Sequence, residues 1–114
     1  MRSILCAALF AAITPAHAGQ PISKSMADCG GLLLGISAFL DNPSSQDYAI
    51  SSSAIWADAA AAEAGRDMTE ELHATAQDWR DRGMMVAFSQ DFRDWTSYCR
   101  ALAKHRGIKF PPRL

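Results

Sequence analysis

The chain has 114 residues, 49% of them hydrophobic, and sets 11 basic against 12 acidic side chains. That length admits one small domain and excludes pairing a cofactor domain with a substrate domain; the composition excludes a disordered polyampholyte and a membrane bundle. No motif names an activity, so the residues speak to compartment, fold class and one crosslink.

Arg2, the apolar run Ile4 to Ile13, the Thr14-Pro15 break and the small residues Ala16 and Ala18 around His17 form a secretory signal peptide over residues 1–18. The run is ten residues long, whereas a bilayer span needs roughly 20. Gly, Asp and Ser interrupt every later apolar stretch, so the mature chain from Gly19 is expected to be soluble, without an integral membrane segment, and periplasmic or secreted. Cys6 precedes most of the apolar run and is a poor lipid-attachment site. Cleavage leaves Cys29 and Cys99, and an oxidising compartment favours one disulfide between them. Closing a loop of that size removes unfolded-state entropy equivalent to about 4 kcal/mol in the loop-closure account.

Met26, Cys29, Leu32, Leu33, Ile36, Phe39 and Leu40 recur at helical steps, with Ser25 and Asp28 placed as a capping box and Asn42-Pro43 as the stop. Gly30, Gly31 and Gly35 each cost about 1 kcal/mol of helix propensity. The spacing of Gly31 and Gly35 therefore predicts close approach of another helix. A second helix is expected from Gln46 to Ala64, with Tyr48, Ile55, Ala59 and Ala62 as a thin apolar stripe, Ser51 to Ser53 as a point of kinking, and Gly65 as terminator. Asp67 and Glu70 bracket a third start, with Met68, Leu72, Thr75, Ala76 and Trp79 on one face until Gly83. Met85, Phe88, Phe92, Trp95, Cys99 and Leu102 give the last helix its seam, ended by Gly107.

The fold expected is all-α: a small four-helix bundle-like domain over 19–107, with a disulfide between first and last helices and a proline-containing tail over 108–114. Up-down-up-down order makes those two helices antiparallel and brings Cys29 and Cys99 together. Trp79 and Trp95 are assigned to the core, and Trp56 is left open because its helix neighbours are small.

Chemistry is sparse. Covalent haem needs two cysteines two residues apart followed by His, and the pair here is 70 residues apart. Met26 and His105 are the axial pair a non-covalent haem would need, but His105 between Lys104 and Arg106 reads as solvated. Glu70 and His73 form a single Glu-x-x-His without the second copy of a di-iron bundle, and two distant Cys and two distant His match no zinc spacing. Ser37 lacks the second glycine of a nucleophile elbow. Asp78, Asp81, Asp91 and Asp94 interleave with Arg80, Arg82 and Arg93, and Asp78 with Arg82 is an ion pair at four residues, so a solvated charged face is the plainer account. No catalytic site, no metal and no cofactor are expected.

Charge is unevenly placed. Residues 19–94 hold five basic and twelve acidic side chains, whereas 95–114 hold Arg100, Lys104, Arg106, Lys109 and Arg113 and no acid. With Phe110, these five form the candidate interaction surface, although helix-dipole complementarity accounts for Arg100, Lys104 and Arg106 without a partner. Proline forbids helix in the tail, whose apolar residues either pack back or meet something. Export and the acidic body argue against nucleic acid. The expected function is a non-catalytic protein-interaction module that binds another envelope protein as accessory subunit, inhibitor or immunity-type protein, or periplasmic chaperone. A homodimer is a further partner to test. For the chaperone, protonation of twelve carboxylates would loosen the bundle while the disulfide held its ends. The alternative is a ligand-binding bundle for haem, metal or a small apolar molecule.

Overall fold

Asn42 and Pro43, expected to stop the first helix, instead start the second. In the computed structural model, which describes residues 19–110, α1 spans Ile22–Ser37 and ends at Ala38, four residues before Asn42. The Asn42 side chain then accepts from the Ser44 N–H at 2.8 Å and Pro43 takes the first helical position, where its missing N–H costs nothing. The capping box is also corrected, because α1 begins behind Pro21 and buries Ser25 and Asp28 in its first two turns. Asp28 faces another helix, which is why a carboxylate stands there. The expected signal peptide lies outside the described residues.

α2 spans Pro43–Ala64 and runs unbroken through Ser51, Ser52 and Ser53, ending on Gly65 at φ 72°. Of the expected apolar stripe only Ala59 packs against the core: Tyr48 and Ile55 are each 46% exposed, Ala62 is exposed, and the buried face is Ala49, Ser52, Ser53, Trp56 and Ala60. Those side chains are small apart from Trp56, and small size is what a close approach to α1 requires.

α3 spans Thr69–Asp81. It buries the expected face, Met68, Leu72, Ala76 and Trp79, with Thr75 half-buried. The seam expected for the last helix is cut in two. Met84–Phe88 is a 3-10 segment, Ser89 caps a new helix, and α4 spans Gln90–Arg106. Consequently Met85 is 69% exposed and Phe88 72%, while Phe92, Thr96, Cys99, Leu102 and Ala103 are buried. Among the described residues no helix is long and apolar enough to cross a membrane.

α1 is the centre of the fold. A Cβ added to Gly30 would lie 2.9 Å from Trp56 Cβ and 3.2 Å from the Ser53 carbonyl of α2. One added to Gly31 would lie 2.6 Å from the Leu72 carbonyl, and one added to Gly35 would lie 2.7 Å from the Ala76 carbonyl, both on α3. The expected close approach at Gly31 and Gly35 is therefore present, backbone against backbone. Because 31 meets 72 and 35 meets 76, α1 and α3 advance in the same direction, and α2, which connects them in the chain, packs on α1 at Gly30.

Cys29 and Cys99 are bonded, with Cα atoms 5.6 Å apart, and join α1 to α4 through a fully buried bridge. At the far end of α4, Gly107 at φ 70° turns the chain and the Ile108 N–H donates to the Ala103 carbonyl at 2.8 Å, a Schellman-type stop. The described part of the tail packs back: Ile108 and Phe110 are half-buried against the core, and the Phe110 ring meets Trp56 edge-on at 6.4 Å. Trp56 is fully buried.

Candidate functional site

Two features merit a functional reading: a polar cluster inside the bundle and an apolar ridge outside it. The cluster centres on Asp28. Its carboxylate accepts from Lys24 Nζ at 2.5 Å, Gln20 Nε2 at 2.8 Å and Thr75 Oγ1 at 2.8 Å. Three donors, one of them charged, satisfy a buried anion that would otherwise be strongly destabilising. Thr75 belongs to α3, so the cluster sets the register of α1 on α3 next to Gly31.

A cleft between α1, α3 and α4 opens over this cluster, lined by Lys24, Asp28, Thr75, Trp79, Arg82 and Trp95. Its cations are engaged. Lys24 holds Asp28, and Arg82 reaches Asp91 at 2.5 Å and Asp78 at 3.4 Å while its guanidinium sits 4.4 Å from the Trp79 ring centroid. The hydrogen bond that Arg82 donates to Asp91 leads in raising the Arg82 pKa above its ordinary value, so this charge is fixed. Arg82 thereby staples the end of α3 to the start of α4. The Asp78–Arg82 pair is the one read from four-residue spacing.

The ridge stands on that staple. Gly83 turns the chain at φ 84°, and Val86 is buried. Met84, Met85 and Phe88 point outward at 63%, 69% and 72% exposure. The segment is held at each joint. The Val86 N–H donates to the Gly83 carbonyl at 3.1 Å, Ser89 Oγ donates to the Val86 carbonyl at 2.7 Å, and Arg93 Nη1 donates to the Phe88 carbonyl at 2.9 Å. Ser89 Oγ also accepts from the Phe92 N–H at 3.1 Å, so one hydroxyl closes the 3-10 segment and opens α4. Phe92 then packs edge-on to Trp79 at 5.8 Å.

The ridge was missed because a three-and-four spacing across residues 85–102 reads as one seam. Ser89 followed three residues later by Phe92, with Asp91 in the first turn, is the cap signal that separates exposed Met85 and Phe88 from the buried part.

The carboxyl-terminal surface is partly engaged within the molecule. Arg106 pairs with Glu63 of α2 at 2.6 Å, and Arg100 lies 5.5 Å over the Phe110 ring, itself packed on Trp56. Lys104 and Lys109 are exposed, and Arg113 lies outside the described residues. Trp79 is buried as expected, whereas Trp95 is only half-buried and meets Tyr98 edge-on at 5.7 Å.

The residues weighed for chemistry are dispersed. Met26 is buried while His105 is exposed, and Glu70 and His73 are both exposed. Ser37 is buried with its hydroxyl donating to the Leu34 carbonyl at 2.6 Å. Among the described residues no three His, Cys, Asp or Glu side chains converge as metal ligands. No known protein family, curated protein or solved structure matches this chain.

Proposed function

We propose that this protein is an exported, non-catalytic module that binds another protein of the cell envelope, as accessory subunit, inhibitor or immunity-type protein, or small chaperone. The observation that carries the reading is the ridge: Met84, Met85 and Phe88 are the three most exposed large apolar side chains described, on a segment whose joints are all hydrogen-bonded. A backbone held in one geometry loses little entropy on binding, and aromatic residues and Met are enriched where proteins meet. The leader-like residues 1–18 and the Cys29–Cys99 bridge support an oxidising compartment.

Formaldehyde crosslinking in intact cells, followed by purification of the tagged full chain, tests this reading. A stoichiometric second protein is expected with the wild-type chain and none with Met85→Ser/Phe88→Ser, whose thermal unfolding should match wild type because both side chains are in solvent. Absence of any stoichiometric partner from the wild-type chain refutes the module reading.

A further inference from the structure

The geometry points to the partner's chemistry: the Met84–Phe88 ridge is a plug for a concave apolar pocket with a basic rim on a different protein. This rests on the interaction reading above and goes beyond it in naming what the partner surface must present. Shape comes first, since side chains 63% to 72% exposed project from the body and need a concavity to bury them.

Charge sets the rim. The carboxylates flanking the ridge on each helix are held by neutral amides: Asp81 accepts from Gln77 Nε2 at 2.8 Å and Asp94 from Gln90 Nε2 at 2.7 Å. The neighbouring cations are engaged at the surface, Arg82 by Asp91 and Asp78, and Arg93 by the Phe88 carbonyl and Gln90. Arg80 is half-buried on α3, and residues 78–94 together carry four acidic and three basic side chains. Along the chain, an exposed carboxylate thus stands before and after the apolar plug, and a pocket rimmed by Lys or Arg complements them.

A second copy fits less well. Symmetry would bring convex against convex and carboxylate against carboxylate. An anionic membrane meets the same repulsion from Asp81 and Asp94.

The test uses the full chain with Phe88→p-benzoylphenylalanine, photolysed in intact cells, beside chains carrying the same group at Ser51 and at Lys109. Position 88 is expected to give one adduct with a different protein, the crosslinked peptide being apolar with Lys or Arg nearby, while exposed Ser51 gives none. Adding Asp81→Lys/Asp94→Lys should lower the yield about tenfold, an effect that shrinks as salt rises. An adduct of twice the chain's mass overturns the inference in favour of a second copy. Co-sedimentation with phosphatidylethanolamine–phosphatidylglycerol vesicles overturns it in favour of a membrane. A protein adduct indifferent to charge reversal refutes the basic rim while the interaction reading stands, as does an adduct from Lys109 alone. No adduct from any position removes both.

Discussion

The central helix is joined to its neighbours in two different ways. Against α3 it presents Gly31 and Gly35, and backbone carbonyls stand where side chains would be. Against α4 it presents Cys29, and a covalent bond bridges helices that otherwise meet at fewer points. The first junction tolerates no added atom, because carbonyl groups cannot rotate away. The second tolerates changes around it but depends on one bond. Small residues and a crosslink are thus alternative answers to the shortage of core in a domain of this size.

Breaking the bond should have the largest effect. Cys29→Ser/Cys99→Ser is expected to lower unfolding free energy by about 4 kcal/mol, read as a fall in the urea midpoint. A loss below about 1 kcal/mol would show that side-chain contacts such as Trp79–Phe92 and Arg106–Glu63 suffice to hold α4.

The glycine junction comes next. Gly31→Ala should cost about 2 to 3 kcal/mol despite better helix propensity, since its Cβ meets the Leu72 carbonyl and Thr75. Gly30→Ala should cost somewhat less, because the closest atom there, Leu72 Cδ1, ends a flexible side chain and the nearest backbone carbonyl, of Ser53, stands at 3.2 Å, although Trp56 Cβ at 2.9 Å must also give way. Equal losses at the two sites, measured by the same denaturation, would contradict the backbone-contact explanation.

The polar tie across the α1–α3 junction ranks third. Asp28→Asn should cost about 1 to 2 kcal/mol, and a double-mutant cycle with Thr75→Val should give a coupling above about 0.5 kcal/mol. Additive losses would mean that the Asp28–Thr75 hydrogen bond does not couple the helices.

The smallest effect lies at the start of α3. The Asp67 carboxylate accepts from the Thr69 hydroxyl and, at 2.9 Å, from the Thr69 N–H, and these bonds, the hydroxyl first, hold its pKa below the ordinary value of 3.8. A carboxyl depressed in the folded state stabilises above its unfolded pKa, and that contribution is lost as pH falls through the folded pKa. Thermal unfolding followed below about pH 4 should show a shallower decline for Asp67→Asn than for wild type. Superimposable profiles would exclude a role for this cap in the acid response.

These junctions were unequally legible in the sequence. Gly31 and Gly35 announced a close approach because nothing else explains two glycines one turn apart in an apolar helix, and Cys29 and Cys99 announced their bond through spacing and compartment. The face of α3 was readable because Leu72, Ala76 and Trp79 are unambiguously apolar. The buried face of α2 was not, since Ser52 and Ser53 count as polar yet are what fits beside Gly30. Asp28 was read as a cap because the carboxylate's actual partner, Thr75, is 47 residues away. Asn42-Pro43 was read as a stop because the same pair ends one helix or begins another, and only the turn that closes α1 at Ala38 and Phe39 distinguishes them. A candidate interaction surface was legible at the basic end, where charge is visible, while the exposed ridge was concealed by continuing the rhythm of the helix behind it.

The position of α1 also bears on the order of events during synthesis. Translation delivers this helix before anything that covers it: Thr75 follows Asp28 by 47 residues and Cys99 follows Cys29 by 70. With three glycines, it is a poor helix in isolation. Trp56, its neighbour on α2, waits for Phe110 to arrive beside it. A nascent chain of this kind can pack its second and third helices on the first before Cys99 exists, so the covalent bridge is the last tie to form.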